Sequence, residues 1–341
     1  MERESRYLGS LLGLAVGDAI GAQVEFMPPG SFPVVTDMVG GGPHGLAPGQ
    51  FTDDTSMALC LAASLVEIRR FDPVDQLRRY LEWLRKGYMS CTGRAFDVGN
   101  TTMAALRRFE RTGEAYCGTD DPGAAGNGSI MRLAPVPLFF AADPAKAVEM
   151  SGLSSRTTHG ARNAVDACRY LGALIAGAVA GADKDKILSS HFQPSLGIWE
   201  GAPLASAIDA IAHGSFKRPA NPRGTGYVVD SLEAALWAFF HGESFEDGLL
   251  KAVNLGDDAD TTAAVYGQLA GAYYGVEAIP SKWLRVIAMR STIENLASGL
   301  HEMAWEPRNP DRTPAPHVPH VNVPSLEFGD EPLNQFGEGS V

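Results

Sequence analysis

The chain has 341 residues, enough for one large domain or two, and its 28 Lys and Arg against 40 Asp and Glu leave a formal charge of −12. The acidic excess is spread along the chain without a basic patch, which argues against a nucleic-acid partner. Cys60, Cys91, Cys117 and Cys168 are far apart and lack metal-site spacing, so they read as reduced thiols in a cytoplasmic protein.

At the start of the chain, Met1 to Arg6 mixes both charge signs, and the apolar run behind it is interrupted by Asp18, unlike a secretory leader. The longest uncharged apolar run, Tyr170 to Ala182, is shorter than the roughly 20 residues a bilayer span requires. No membrane association is expected. Gly9, Gly13, Gly17 and Gly21 recur every four residues, as do Gly267, Gly271 and Gly275. Each glycine inside a helix costs about 1 kcal/mol relative to Ala, and close approach of two helices is the gain that offsets it. A phosphate cradle is the alternative use of such glycines.

Met27 to Gln50 is rich in Pro and Gly and reads as a long connection between two helical segments. Helical periodicity resumes with Leu61, Leu65 and Ile68 and returns with Leu232, Leu236, Phe239 and Phe240, while no convincing alternating strand pairs occur. An all-α domain over residues 1–305 is expected, followed by a Pro-rich tail over 306–341.

Two segments concentrate acid at helix starts. Thr52-Asp53-Asp54-Thr55 precedes the Met57 run, where Thr52 suits an N-cap and the acids suit the positive end of the helix dipole. Gly256-Asp257-Asp258-Ala259-Asp260-Thr261-Thr262 precedes the second glycine stripe. Five carboxylates at two helix starts must be separated, screened or bridged by cations, and Mg²⁺ or Mn²⁺ with oxygen ligands are the natural bridge. A calcium loop beginning at Asp258 fails, because its sixth position is Ala263 and its twelfth is Leu269. Free N–H groups at helix starts beside the metals would suit a diphosphate.

Gly17-Asp18-Ala19-Ile20-Gly21 with Glu25, Thr52 to Thr55, Gly126-Asn127-Gly128-Ser129-Ile130-Met131-Arg132, Thr158-His159 and Gly256 to Thr261 follow one another in this order. Together they resemble the signatures of the ADP-ribosylglycohydrolases, in particular the ADP-ribosylarginine hydrolases and the dinitrogenase reductase activating glycohydrolases. The resemblance covers residues 5 to 290. It implies a compact orthogonal helical bundle with a central di-metal cleft, two divalent cations held by Thr52, Asp53 and Asp54 on one side and by Asp258, Asp260 and Thr261 on the other. Asp258 is then also catalytic. Glu25 is implied to be a mobile acid that approaches a metal in the empty site and contacts substrate in the full one. Where Asp257 stands the family usually has a second Gly, so Asp257 is an outer acid or a modifier of metal preference.

Phe96 to Thr102 resembles a family segment at the reacting end of the substrate, which makes Asp97 a candidate partner for a guanidinium and Asn100 a substrate contact. Asp97 reads equally as another helix cap. Asn127, Gly128 and Ser129 resemble the loop that holds the diphosphate and adjoining sugar, and His159 is either a substrate contact or a satisfied buried histidine. The implied reaction is cleavage of the N-glycosidic bond of ADP-ribosylarginine in a mono-ADP-ribosylated protein, releasing ADP-ribose. The alternatives are O-glycosidic cleavage of ADP-ribosylserine, poly-ADP-ribose or O-acetyl-ADP-ribose, a catalytically silent ADP-ribose-binding or structural member, and a two-metal phosphohydrolase. A monomer is expected.

Overall fold

The computed structural model describes residues 2–218 and 223–305 of the chain. Among these residues the fold is all-α: helices joined by loops, with isolated bridges of Gly41 with Leu46, Thr119 with His159 and Gly126 with Tyr227 in place of any sheet. None of the helices among them is long and apolar enough to cross a membrane. The tail expected over 306–341 lies outside the described residues.

Two helices, Arg3–Gly21 and Ala259–Tyr274, form the axis of the bundle and are buried over most of their length. They meet along the glycine stripe. A Cβ placed on Gly13 would stand 2.4 Å from the Gly267 carbonyl oxygen, and one on Gly267 would stand 2.0 Å from that of Gly13. Gly9 and Gly271 oppose each other in the same way, at 2.3 and 1.9 Å, and Gly17 faces the Ala263 carbonyl at 2.2 Å. Partners run in opposite order, so the helices are antiparallel and in backbone contact, which is why only hydrogen fits at these positions. Gly275 differs from its place in the stripe. It adopts φ 79° and stops the helix, a conformation that glycine takes freely.

This pairing decides where chemistry can gather. The C-terminal end of the first helix and the N-terminal end of the Ala259 helix lie at the same end of the axis, with Gly21 against Asp260. The helix Asp53–Ile68 also begins there, because Thr52 and Thr55 bond to Asp18 of the first helix. Between them runs the Pro-Gly connection, which is fastened to the body. Asn254 accepts the Val35 N–H at 2.8 Å and donates to the Val35 carbonyl at 3.0 Å. The Trp283 indole N–H donates to Asp37 at 2.6 Å. Gly49, at φ 86°, passes so close to Val286 that a Cβ would come within 1.9 Å of its carbonyl oxygen.

Candidate active site

Thr52 occupies the N-cap position expected of it, but its hydroxyl bonds none of the helix N–H groups. Instead it lies 3.0 Å from Asp18 Oδ1, 3.1 Å from Asp54 Oδ2 and 3.3 Å from Asp260 Oδ2. Asp18 performs the capping from another helix: Oδ1 accepts the Thr52 N–H at 2.9 Å, and Oδ2 accepts the Thr55 N–H at 3.0 Å and its hydroxyl at 2.6 Å. The Thr52 hydroxyl is thereby left to the acids.

Asp53, Asp54 and Asp260 are buried, Asp258 is half-buried, and oxygens of Asp18, Asp54 and Asp260 and of Glu25, Asp258 and Asp260 fall into two groups close enough to share an ion. Burial, and then repulsion among the neighbouring acids, pushes Asp53, Asp54 and Asp260 well above the ordinary carboxylate range. Burial likewise raises Asp258 and lifts Asp18 to about 6. The donor set fits hard divalent cations. Asp54 Oδ1 is buried without a hydrogen-bond partner among the described residues, and leaving such an oxygen uncompensated is costly. Carboxylates and threonine hydroxyls are also the ligand chemistry that Mg²⁺ and Mn²⁺ favour.

The cluster opens into a cleft of about 340 Å³ whose wall includes Glu25, Asp53, Asp97, Asn100, Asn127, Gly128, His159, Asp258 and Thr261. Asn127 donates its amide to Asp258 Oδ2 at 2.8 Å, which turns that carboxylate toward the cleft with its loop. Gly128 packs on the His159 ring so closely that a Cβ would meet Cε1 at 2.9 Å. Burial holds the His159 imidazole down at about 3, so it faces the cleft uncharged. Ser129 sits behind the wall, 2% exposed, accepting from Ser155 at 2.9 Å and from Cys168.

Asp97 does not cap the helix Asn100–Thr112, whose N-cap is Gly99. With φ 58° it turns its carboxylate toward the cleft and toward His44, whose Nε2 is 3.6 Å from Asp97 and 3.2 Å from Glu25. These contacts are at ion-pair distance, without hydrogen-bond alignment. Asp97 and then Glu25 push the imidazole up to about 10, so His44 is a cation between two acids. Burial pushes Glu25 up to about 8. Asp257 points elsewhere, pairing with Arg223 at 3.0 Å, and its φ of 56° is the reason a glycine would suit the position. A mutual pair of main-chain bonds, Phe26 N–H to Asp257 O and Asp257 N–H to Met27 O, ties the Glu25 segment to the second acidic segment.

Three residues without an expected role stand in or behind this site: Asp18, His44 and Arg132. Arg132 is 1% exposed and donates to the Thr158 hydroxyl at 2.6 Å, which in turn lies 2.8 Å from His159 Nδ1. Its guanidinium stacks over Tyr80, with 4.5 Å to the ring centroid. The Gly126 to Arg132 motif carried the signal for Arg132, whereas a lone histidine in a Pro-Gly loop carried none for His44.

The family model for ADP-ribosylglycohydrolase matches residues 1–310. The chain is 44% identical over 301 residues to the ADP-ribosylarginine hydrolase Tri1 of Pseudomonas putida (strain GB-1), covering 88% of this chain and 78% of that protein. It is 41% identical over 300 residues to the Tri1 of Serratia proteamaculans (strain 568), covering 87% and 79%. A solved structure described as an ADP-ribosylglycohydrolase-related protein complex superposes with a TM-score of 0.79 at 48% identity, covering 89% of this chain and 99% of that one. With the acid-lined cleft at the end of the glycine-seamed helix pair, this breadth of likeness makes the chain an enzyme of the ADP-ribosylglycohydrolase family.

Proposed function

We propose that this enzyme is a divalent-cation-dependent hydrolase that removes ADP-ribose from arginine side chains of mono-ADP-ribosylated proteins. The observation that carries the reading is Asp97, a carboxylate in the cleft wall that caps no helix and, among the described residues, has His44 as its cationic neighbour. A positioned carboxylate pairs bidentately with a planar guanidinium. The names of the Tri1 relatives support the same substrate class.

Thr52, Asp53, Asp54, Asp258, Asp260 and Thr261 would hold two cations, Mg²⁺ or Mn²⁺. When bound, these would orient the ribose hydroxyls and lower the pKa of a water for attack at C1. Asp97 holds the guanidinium end of the substrate, with Asn100 beside it. Asn127 and Gly128 offer their loop to the diphosphate and its sugar, and Ser129 supports that loop from behind. His159, uncharged, offers a neutral ring to the ligand. Glu25, kept protonated near neutrality by burial, donates its proton to the guanidine nitrogen as the C1–N bond breaks and the water oxygen bonds to C1, and the proton that this water loses returns to the Glu25 carboxylate. The products are ADP-ribose and an unmodified arginine. Four free thiols suit a reducing cytoplasm.

The test is a set of defined substrates, ADP-ribosylarginine peptide, ADP-ribosylserine peptide and O-acetyl-ADP-ribose, each with EDTA, Mg²⁺ or Mn²⁺. Release of ADP-ribose from the arginine peptide that requires a cation is expected. Robust turnover of the serine peptide with none of the arginine peptide would overturn the substrate, and turnover of none would favour a binding protein.

A further inference from the structure

We infer that His191, Asp209 and His213 form a separate site for one zinc-type transition-metal ion, remote from the acidic cleft. None of the three lines that cleft. One nitrogen from each histidine and one Asp209 carboxylate oxygen lie within 4.8 Å of one another. His191 Nε2 is 2.8 Å from Asp209 Oδ1, and His213 Nδ1 is 2.9 Å from the Asp209 main-chain oxygen and 3.4 Å from Asp209 Oδ2. Donors bound to a tetrahedral Zn²⁺ at about 2.0–2.2 Å stand roughly 3.3–3.5 Å apart, so modest side-chain rotation closes the set.

The backbone brings these groups together before any metal arrives. Asp209 lies in the helix Ser206–Ala212 and His213 is its C-cap, so the two project from one side, a turn apart. His191 belongs to a different segment, and its N–H donates to the Ala212 carbonyl at 2.8 Å, which clamps that segment to the helix end. The two imidazole rings are 3.9 Å apart between centroids. Their side chains are 38% and 55% exposed and that of Asp209 is 41% exposed, so a dissolved ion reaches all three. A cavity of about 410 Å³ has Asp209, His213, Ser206, Ser215 and Arg218 in its wall and leaves room for a water as a further ligand.

Two imidazoles and one carboxylate are a donor set for Zn²⁺ rather than for Mg²⁺, whereas the six residues proposed for the cleft cations offer oxygen alone. Binding exchanges the hydrogen bonds of His191 to the Asp209 carboxylate and of His213 to the Asp209 main-chain oxygen for coordination.

The experiment is a calorimetric titration of the full chain with Zn²⁺ in saturating Mg²⁺, which keeps the oxygen-lined cleft filled. One zinc equivalent is expected. The double variant His191→Ala with His213→Ala should lose it, with zinc binding weaker by roughly two orders of magnitude or more, since even outer-sphere losses cost 10–100-fold. Its Mg²⁺-supported turnover and circular dichroism should match those of the parent chain. Cobalt in place of zinc should give visible absorption bands that vanish in the His213→Ala variant. Equal zinc uptake by the parent and the double variant, or none by either, would overturn the site and show the three residues to be a hydrogen-bonded cluster only.

Discussion

Asp18 caps a helix to which it does not belong: its two carboxylate oxygens take the main-chain N–H groups of Thr52 and Thr55, at 2.9 and 3.0 Å. The start of the Asp53 helix is therefore fixed by the first helix, and with it the direction of Asp53 and Asp54. Asp18→Asn keeps the shape but puts an amide where only acceptors serve. It should lower stability by about 1–2 kcal/mol, the scale of a lost cap. Affinity for Mn²⁺ should fall by about 10–100-fold, because supporting groups set ligand orientation. Thermal melts and Mn²⁺ titration check both, and a variant unchanged in each would mean that Asp18 is a bystander.

The helix seam gives a stability prediction. Gly13→Ala drives a methyl group into the Gly267 carbonyl, 2.4 Å away, where backbone cannot yield without moving a helix. A loss of at least about 3 kcal/mol is expected, at the severe end for overpacking. Gly201→Ala, with nothing among the described residues beyond its chain neighbours within 4 Å of its Cβ position, should be near neutral. Equal melting temperatures for the two variants would contradict the close packing.

Much of this architecture is legible in the sequence because the physical demand is local. Glycine every fourth residue in an apolar helix has few uses other than close approach, so tight helix contacts at the stripes could be anticipated, though not that Gly13 meets Gly267. Paired acids at Asp53 and Asp258 likewise announce a place where charge gathers. What depends on distant parts of the chain was hidden. Nothing near Asp18 signals that it caps a helix 34 residues away, and nothing near His44 places it between Glu25 and Asp97. Gly275 fits the stripe by spacing and leaves it by conformation. Ser129 shares a motif with Asn127 yet turns to the opposite side of the loop.

The buried acids predict a pH dependence. Their folded-state pKa values are raised, with Asp18 at about 6 and Glu25 at about 8, so the folded cation-free protein holds protons that the unfolded chain would release. Its stability should fall as pH rises from about 4 to 8, the Asp18 share being lost by about 6 and the Glu25 share by about 8. His44, also raised, acts in the same direction. Cations need ionised ligands, so binding should expel protons and tighten as pH rises through this range. Melting curves with EDTA or Mn²⁺, and calorimetry in buffers of different ionisation enthalpy, read both effects. No proton release at pH 7 would contradict the proposed ligand set.

Asp97 separates arginine recognition from ribose recognition. Asp97→Ala should lower kcat/KM on ADP-ribosylarginine by about 2–4 kcal/mol of transition-state stabilisation, the scale for losing a buried charged partner. Binding of free ADP-ribose should change much less, because that ligand has no guanidinium. Equal losses in both would show that Asp97 serves the fold or the sugar instead.

The central claim is that the acids at the two helix starts work as one cation-dependent hydrolytic centre. The direct measurement is the rate of ADP-ribose release from an ADP-ribosylarginine peptide by EDTA-stripped, Mn²⁺-reloaded protein, comparing the parent chain with Asp258→Ala. Asp258 is half-buried at a helix start, where its Oδ2 accepts from Asn127, so its loss should spare the fold. The account predicts that the parent chain regains turnover with Mn²⁺ and that the folded variant falls by at least about 1,000-fold, on the scale of losing a charge stabiliser at the reacting centre. Undiminished turnover in Asp258→Ala, or full activity of the stripped parent chain without any cation, would contradict it.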